Sequence, residues 1–174
     1  MYRHLRELWK KPRENIPFYR ERLLKWQDEP ATVRIEKPTR LDRARALGYK
    51  AKQGYIVVRQ KVRRGGRQRP KFTGGRRSKH MRRRKIVAKS YQWIAEERAN
   101  RQYTNCEVLN SYFVARDKDY YYYEVILVDR THPVIIASIP WVQKARGRVY
   151  RGLTSAGKKS RGLTRKGVGA EKLR

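Results

Sequence analysis

The sequence predicts an α+β protein, a small antiparallel sheet packed with helices and carrying long basic extensions. Three observations predict it. Glu107 to Arg116 and Tyr120 to Asp129 are rich in aromatic and β-branched residues, and Asp117-Lys118-Asp119 lies between them as turn material, so the pair reads as a hairpin. Apolar residues recur at helical spacing near the N-terminus and again after Ser90. Cations recur through two stretches almost without acids: no Asp or Glu falls between Asp42 and Glu96, and Lys144 to Arg174 holds only Glu171.

Tyr2, Leu5, Leu8 and Trp9 form one apolar stripe before Pro12, and Ile16, Tyr19, Leu23 and Trp26 form another before Pro30, which predicts two short amphipathic helices. Their aromatics suit a core better than base stacking at this spacing. Val33 and Ile35 alternate with Arg34 and Glu36 in a strand over Ala31 to Lys37, ended by Pro38. Thr39 and Asp42 form a capping-box-like start for a short helix that Gly48 can stop. Gly48 to Gly54 is then a loop holding two cations, an aromatic and an amide, a mixture suited to clamping a phosphate backbone or to an ordinary basic turn. Gly54 to Val62 reads as a strand apolar on both faces, with Tyr55 and Val57 on one side and Ile56 and Val58 on the other.

Arg63 to Lys85 has no hydrophobic period. Its clusters Arg63-Arg64-Gly65-Gly66-Arg67, Gly74-Gly75-Arg76-Arg77 and Arg82-Arg83-Arg84-Lys85 cannot neutralise themselves, so this arm is expected to be disordered alone and to order against a polyanion. Ser90 can start a helix with Tyr91, Ile94 and Ala95 inward and Glu96 and Glu97 near its favourable N-terminal end. Thr131 and Pro133 suit the start of a short helix over Val134 to Ser138, although its β-branched run also fits a strand. Thr154 and Gly162 can cap one short basic helix. The expected organisation is one α/β body of residues 1–62 and 86–143, a basic Arg/Gly arm of 63–85 inserted in it, and a basic C-terminal extension of 144–174.

Charge narrows the partner. With 46 Lys and Arg against 15 Asp and Glu, the formal net charge of +31 is far beyond what solubility needs, and of the common polyanions nucleic acid fits best. A polybasic membrane anchor is usually a local cluster beside an amphipathic helix or lipid site, whereas here charge runs along the whole chain. A hydrophobic content of 39%, with 12 Tyr and 4 Trp, permits a real core and argues against a wholly disordered tail. Cys106 is the single cysteine, so no internal disulfide or Cys-x-x-Cys site can form, which fits a reducing compartment. No apolar run nears the roughly 18 to 20 residues of a membrane span, and Met1-Tyr-Arg-His-Leu-Arg lacks the apolar core of a secretory signal. A soluble, cytoplasmic protein is expected.

No enzyme emerges. Gly152-Leu-Thr-Ser-Ala-Gly157-Lys158 matches Gly-x4-Gly-Lys, and Val125 to Asp129 resembles the acid-tipped strand of a nucleotide hydrolase. A P-loop, however, needs Ser or Thr after the Lys to hold magnesium, where this chain has Lys159, and no strand leads into the glycines. His4, His80 and His132 are scattered away from metal-ligand or base spacing, and Cys106 is read as a small buried residue. Asp117 and Asp119 flank Lys118 as turn acids rather than as a magnesium site. No cofactor, metal or small-molecule substrate is expected.

Five blocks carry a resemblance: Arg45 to Gly54, Val62 to Pro70, Leu109 to Tyr112, Tyr123 to Asp129 and Arg151 to Gly162. In order and spacing they closely resemble the fifteen-e family of large-subunit ribosomal proteins of archaea and eukaryotes, over essentially the whole chain. The C-terminal tail is shorter than in eukaryotic members, so the likeness is to an archaeal one. The resemblance implies a small antiparallel α/β body with basic extensions threaded into large-subunit ribosomal RNA, neighbouring ribosomal proteins, a cytoplasmic place in the subunit, and no catalytic residue. The alternative is a non-ribosomal RNA chaperone or assembly factor. The expected RNA contacts are Arg40, Arg43 and Arg45 ahead of the loop, then Tyr49, Lys50, Lys52 and Gln53 within it. Along the arm they are Arg63, Arg64, Arg67, Arg69, Lys71, Arg76, Arg77, Lys79, His80, Arg82, Arg83, Arg84 and Lys85, and in the C-terminal block Arg151, Lys158, Lys159 and Arg161.

Overall fold

In the computed structural model, residues 1–75 and 84–164 are described. Six strands are present among them: β1 (Thr32–Ile35), β2 (Tyr55–Arg63), β3 (Arg67–Gln68), β4 (Arg84–Lys85), β5 (Cys106–Arg116) and β6 (Tyr120–Asp129). Four of them form an antiparallel sheet in the order β1-β2-β6-β5, while β3 and β4 pair as a separate two-stranded ribbon. The helices are α1 (Tyr2–Leu8), α2 (Pro12–Asn15), α3 (Tyr19–Asp28), α4 (Leu41–Ala46), α5 (Tyr91–Gln102), α6 (Pro133–Ser138), α7 (Trp141–Lys144) and α8 (Ser155–Ser160). This is the α+β architecture the sequence predicts.

Side-chain alternation explains why β2 and β6 are apolar on both sides. Val58, Val125 and Leu127 pack with Trp93 and Ala99 of α5, with Cys106 and Val108 of β5, and with Val149 and Ala156 from the C-terminal stretch. On the opposite face Tyr112, Tyr122 and Ile126 meet Tyr19 and Trp26 of α3 and Ala44 of α4. Each large side chain so buried contributes on the order of 1.5–3 kcal/mol. The stretch from 144, assigned by composition to an extension, thus places Val149 and Ala156 in the core, and Trp93 Nε1 donates to the Val149 carbonyl at 2.7 Å.

Element starts differ from the sequence reading where a side chain found a better partner. The N-terminal stripes make three helices, because Pro12 begins a turn of its own and Phe18, in the left-handed region at φ 56°, separates it from α3. The N-cap of α4 is Arg40, not Thr39, whose N–H instead donates to Glu124 Oε2 at 3.1 Å. His132, not Thr131, caps α6: its Nδ1 accepts the Val134 N–H, while the Thr131 hydroxyl turns back to Asp129. Ser90 and Thr154 cap α5 and α8, accepting from the N–H groups of Trp93 and Gly157.

Candidate nucleic-acid interface

Four regions carry the expected contacts. At the end of α4 the Tyr49 N–H bonds the Ala44 carbonyl and the Gly48 N–H the Arg45 carbonyl, a Schellman closure that needs the positive φ of 98° at Gly48. Gly54 closes the loop at φ 86°, where a Cβ would lie 2.6 Å from Ile135 Cγ1. Between these anchors Lys50, Lys52 and Gln53 are exposed. Tyr49 is half-buried, edge-on to Tyr55 with ring centroids 6.2 Å apart, and packs against the α3–α4 side of the core. Arg43 and Arg45 are exposed, and Arg45 lies over the Tyr2 ring. Arg40 is withdrawn: it stacks on Trp9 at 5.1 Å, lies 3.8 Å from the Asp42 carboxylate, and burial lowers its pKa.

The arm leaves the sheet at Arg63, the last residue of β2, and its root is fixed. Arg64 gives its N–H to the Asp119 carbonyl at 2.8 Å and its guanidinium to the carbonyls of Asp117 and Lys118, while Gly65 bonds the Tyr91 hydroxyl with both its N–H and its C=O. Beyond the root no described residue of the ribbon is buried. Arg67, Lys71, Arg84 and Lys85 are exposed, as are Ile86 and Val87, and Arg69 is half-buried. Arg76, Arg77, Lys79, His80, Arg82 and Arg83 lie outside the described residues.

The C-terminal cations come close to the arm's return leg. Ser160 Oγ accepts the Ser90 N–H at 3.1 Å, which ties the end of α8 to the segment after β4, and Arg151, Lys158, Lys159 and Arg161 are exposed around it. The Gly-x4-Gly-Lys sequence has a packing explanation. A Cβ on Gly157 would lie 2.6 Å from Gly152 Cα, so the two glycines let backbone touch backbone, and the Gly157 N–H is spent on Thr154 Oγ1. The Gly48 to Gly54 loop and the arm root lie at opposite ends of β2, an inner strand of the sheet, and are not brought together.

Sequence reasoning missed where the acids go. Glu96, Glu107 and Glu124 are buried, and so is Asp42. Glu96 accepts from Ser111 and Thr154 hydroxyls; Glu107 accepts from the N–H groups of Gly147 and Arg148; Glu124 accepts from the Tyr112 hydroxyl and Thr39 N–H. Burial raises the pKa of Glu96 and of Glu124 against those hydrogen bonds. Only five ion pairs occur among the described residues, and two of them, Arg3 with Glu7 and Lys11 with Glu14, are exposed pairs within a helix region. Because interior sites consume carboxylates, the outer surface is more cationic than the composition suggests. Cys106 is buried, and burial pushes its thiol up to about 11. Among the described residues no group of three or more His, Cys, Asp or Glu is placed to hold a metal, and no helix is long and apolar enough to cross a membrane.

Comparison with known proteins places the whole chain in one family. The family model described as Ribosomal L15 matches residues 1–174. The large ribosomal subunit protein eL15 of Methanocorpusculum labreanum is 52% identical over 179 residues, covering 100% of this chain and 92% of its own. The protein of the same name from Methanocella arvoryzae is 52% identical over 178 residues (98% and 91%), and that of Picrophilus torridus 51% over 180 residues (99% and 92%).

Proposed function

The chain belongs to the eL15 family of large-subunit ribosomal proteins, and from that premise we propose that it is a structural constituent of the large ribosomal subunit that binds and stabilises large-subunit ribosomal RNA. Its work is binding without turnover, in the cytoplasm, within the subunit. One observation carries the RNA-binding part: the β3–β4 ribbon, the Lys50 to Gln53 loop tip and the outer side of α8 present cations with no carboxylate in any of these segments, while four acids, Asp42, Glu96, Glu107 and Glu124, are buried.

Each region has its own part. The 63–85 arm reaches into RNA, and the body of 1–62 and 86–143 sets its root. The 144–174 stretch is basic in function even where it is packed in space, since Arg151, Lys158, Lys159 and Arg161 face outward from a segment whose Val149 and Ala156 are in the core. In the loop Lys50, Lys52 and Gln53 meet the RNA backbone, and Tyr49 holds the loop to the body.

Gradient sedimentation of a cell lysate tests this against the assembly-factor alternative. The protein should run with mature large subunits and with intact ribosomes. A pool confined to free protein and precursor particles would overturn the structural role while leaving RNA binding standing.

A further inference from the structure

Phe113 is 40% exposed although it sits on β5 between Tyr112 and Val114, each 2% exposed. Its ring is nevertheless held. It meets Tyr123 edge-on at 5.9 Å and Tyr121 at 6.3 Å, and Tyr121 stacks on Tyr91 at 5.0 Å. The register irregularity between Phe113 and Ala115 re-aims the side chains there, as β-bulges do. At one end this aromatic row reaches the root of the arm, where the Arg64 guanidinium lies 5.1 Å over Tyr121. At the other end Phe113 lines a cleft of about 310 Å³, near the small end of ligand-sized cavities. Arg6, Arg40 and Arg43 also line it, and Asp42 is its one acid, so the cleft is cationic. Arg6 and Arg43 are exposed and in no ion pair among the described residues, and Gln92 walls the cleft with its amide nitrogen already bonded to Ser111.

Resting on the RNA-binding reading above, we propose that Phe113 and this cleft receive one unpaired nucleotide of RNA, with the base stacked on the ring and the flanking phosphates on Arg6 and Arg43. An exposed aromatic ring fixed by its neighbours offers a stacking face at little entropic cost, and stacking tolerates any base. The guanidinium groups supply what an adjacent phosphate requires and an apolar protein partner would not. Continuity with the arm root lets a single RNA strand run from Arg64 along the aromatic row to the cleft.

The test titrates the full-length protein with deproteinised large-subunit ribosomal RNA over a range of salt. Phe113→Leu should weaken binding roughly 5- to 150-fold at an unchanged salt slope, whereas Phe113→Tyr should bind like the parent. Arg6→Gln with Arg43→Gln should lower the slope by about 1.5. Ultraviolet crosslinking of the parent complex should leave a nucleotide adduct on the peptide containing Phe113. Parental affinity for a Phe113→Leu protein that melts normally, or adducts on arm peptides with none at Phe113, overturns the nucleotide site and leaves the RNA-binding reading intact. If Phe113→Leu fails to fold, the adduct on the parent decides. A parent with a flat salt response and no adduct anywhere overturns both.

Discussion

Asp117 holds the tip of the β5–β6 hairpin with both carboxylate oxygens. Oδ1 accepts the N–H groups of Asp119 and Tyr120, and Oδ2 accepts the Tyr122 hydroxyl at 2.6 Å and the Gln27 amide at 3.1 Å. Burial raises this carboxyl, but the hydrogen bonds outweigh it and hold the pKa below the ordinary range. A depressed carboxylate contributes stability above its ordinary pKa and loses it as pH falls through the folded-state value. Asp117→Asn should therefore cost about 1–3 kcal/mol at neutral pH, since donors would face donors around a Tyr122 that is 1% exposed. In thermal melts that deficit should shrink below about pH 4. Glu124 has the opposite sign. Burial raises its pKa, so the folded chain holds that proton more readily than the unfolded chain, and this contribution is lost as pH rises through the folded-state value. Glu124→Gln, which can still accept from Tyr112 or Thr39, should gain in melting midpoint relative to the parent between about pH 4 and pH 7. A constant difference across that range would mean that Glu124 titrates alike in the folded and the unfolded chain.

For whole elements, what the sequence reveals depends on how far apart the determining partners lie. The β5–β6 hairpin was readable to within a residue because its strands, turn and Asp117 are neighbours in the chain. The α8 caps Thr154 and Gly162 were readable for the same reason. By contrast Glu96 looked like a helix-start charge because its partner Thr154 is 58 residues away, and Glu124 sits 85 residues from Thr39. Val149 and Ala156 lie in a basic stretch, so composition hid their place in the core. In the candidate interface the exposed cations were legible from composition, whereas the withdrawal of Arg40 and the use of Tyr49 in packing depend on Trp9 and Tyr55, which only the fold supplies. The arm gives an element-scale prediction. Replacing Arg67 to Lys85 by a short Gly/Ser linker should leave the melting midpoint nearly unchanged, because the described part of that segment contributes no buried residue. Incorporation into subunits should fall sharply. Starting the replacement at Arg64 should also lower the midpoint, since it removes the bonds to Asp117, Lys118, Asp119 and Tyr91. Equal melting of the two variants would mean that the root contributes nothing to the fold.

Across the whole molecule, one property, surplus positive charge, predicts two opposite responses to salt. Free in solution, a chain of net charge +31 repels itself, and with only five ion pairs among the described residues there is little attraction for salt to screen. At about 0.15 M ionic strength the Debye length is roughly 8 Å, so raising potassium chloride from low to moderate concentration should remove more repulsion than attraction. The melting midpoint of the free protein should rise. Binding to ribosomal RNA should respond the other way, because each neutralised phosphate releases counterion and contributes roughly 0.7 to 0.9 to the log-log slope. With cations from the arm, the Lys50 to Gln53 loop and α8 all engaged, the slope should exceed about 4 in magnitude. Structured RNA should also be preferred over heparin, since stacking and 2′-hydroxyl contacts are open only to RNA. Melting the free protein and titrating RNA over the same salt series measures both arms. A midpoint that falls with salt would mean that the few ion pairs outweigh the repulsion. An affinity that does not change with salt would mean that the exposed cations are not what holds the RNA.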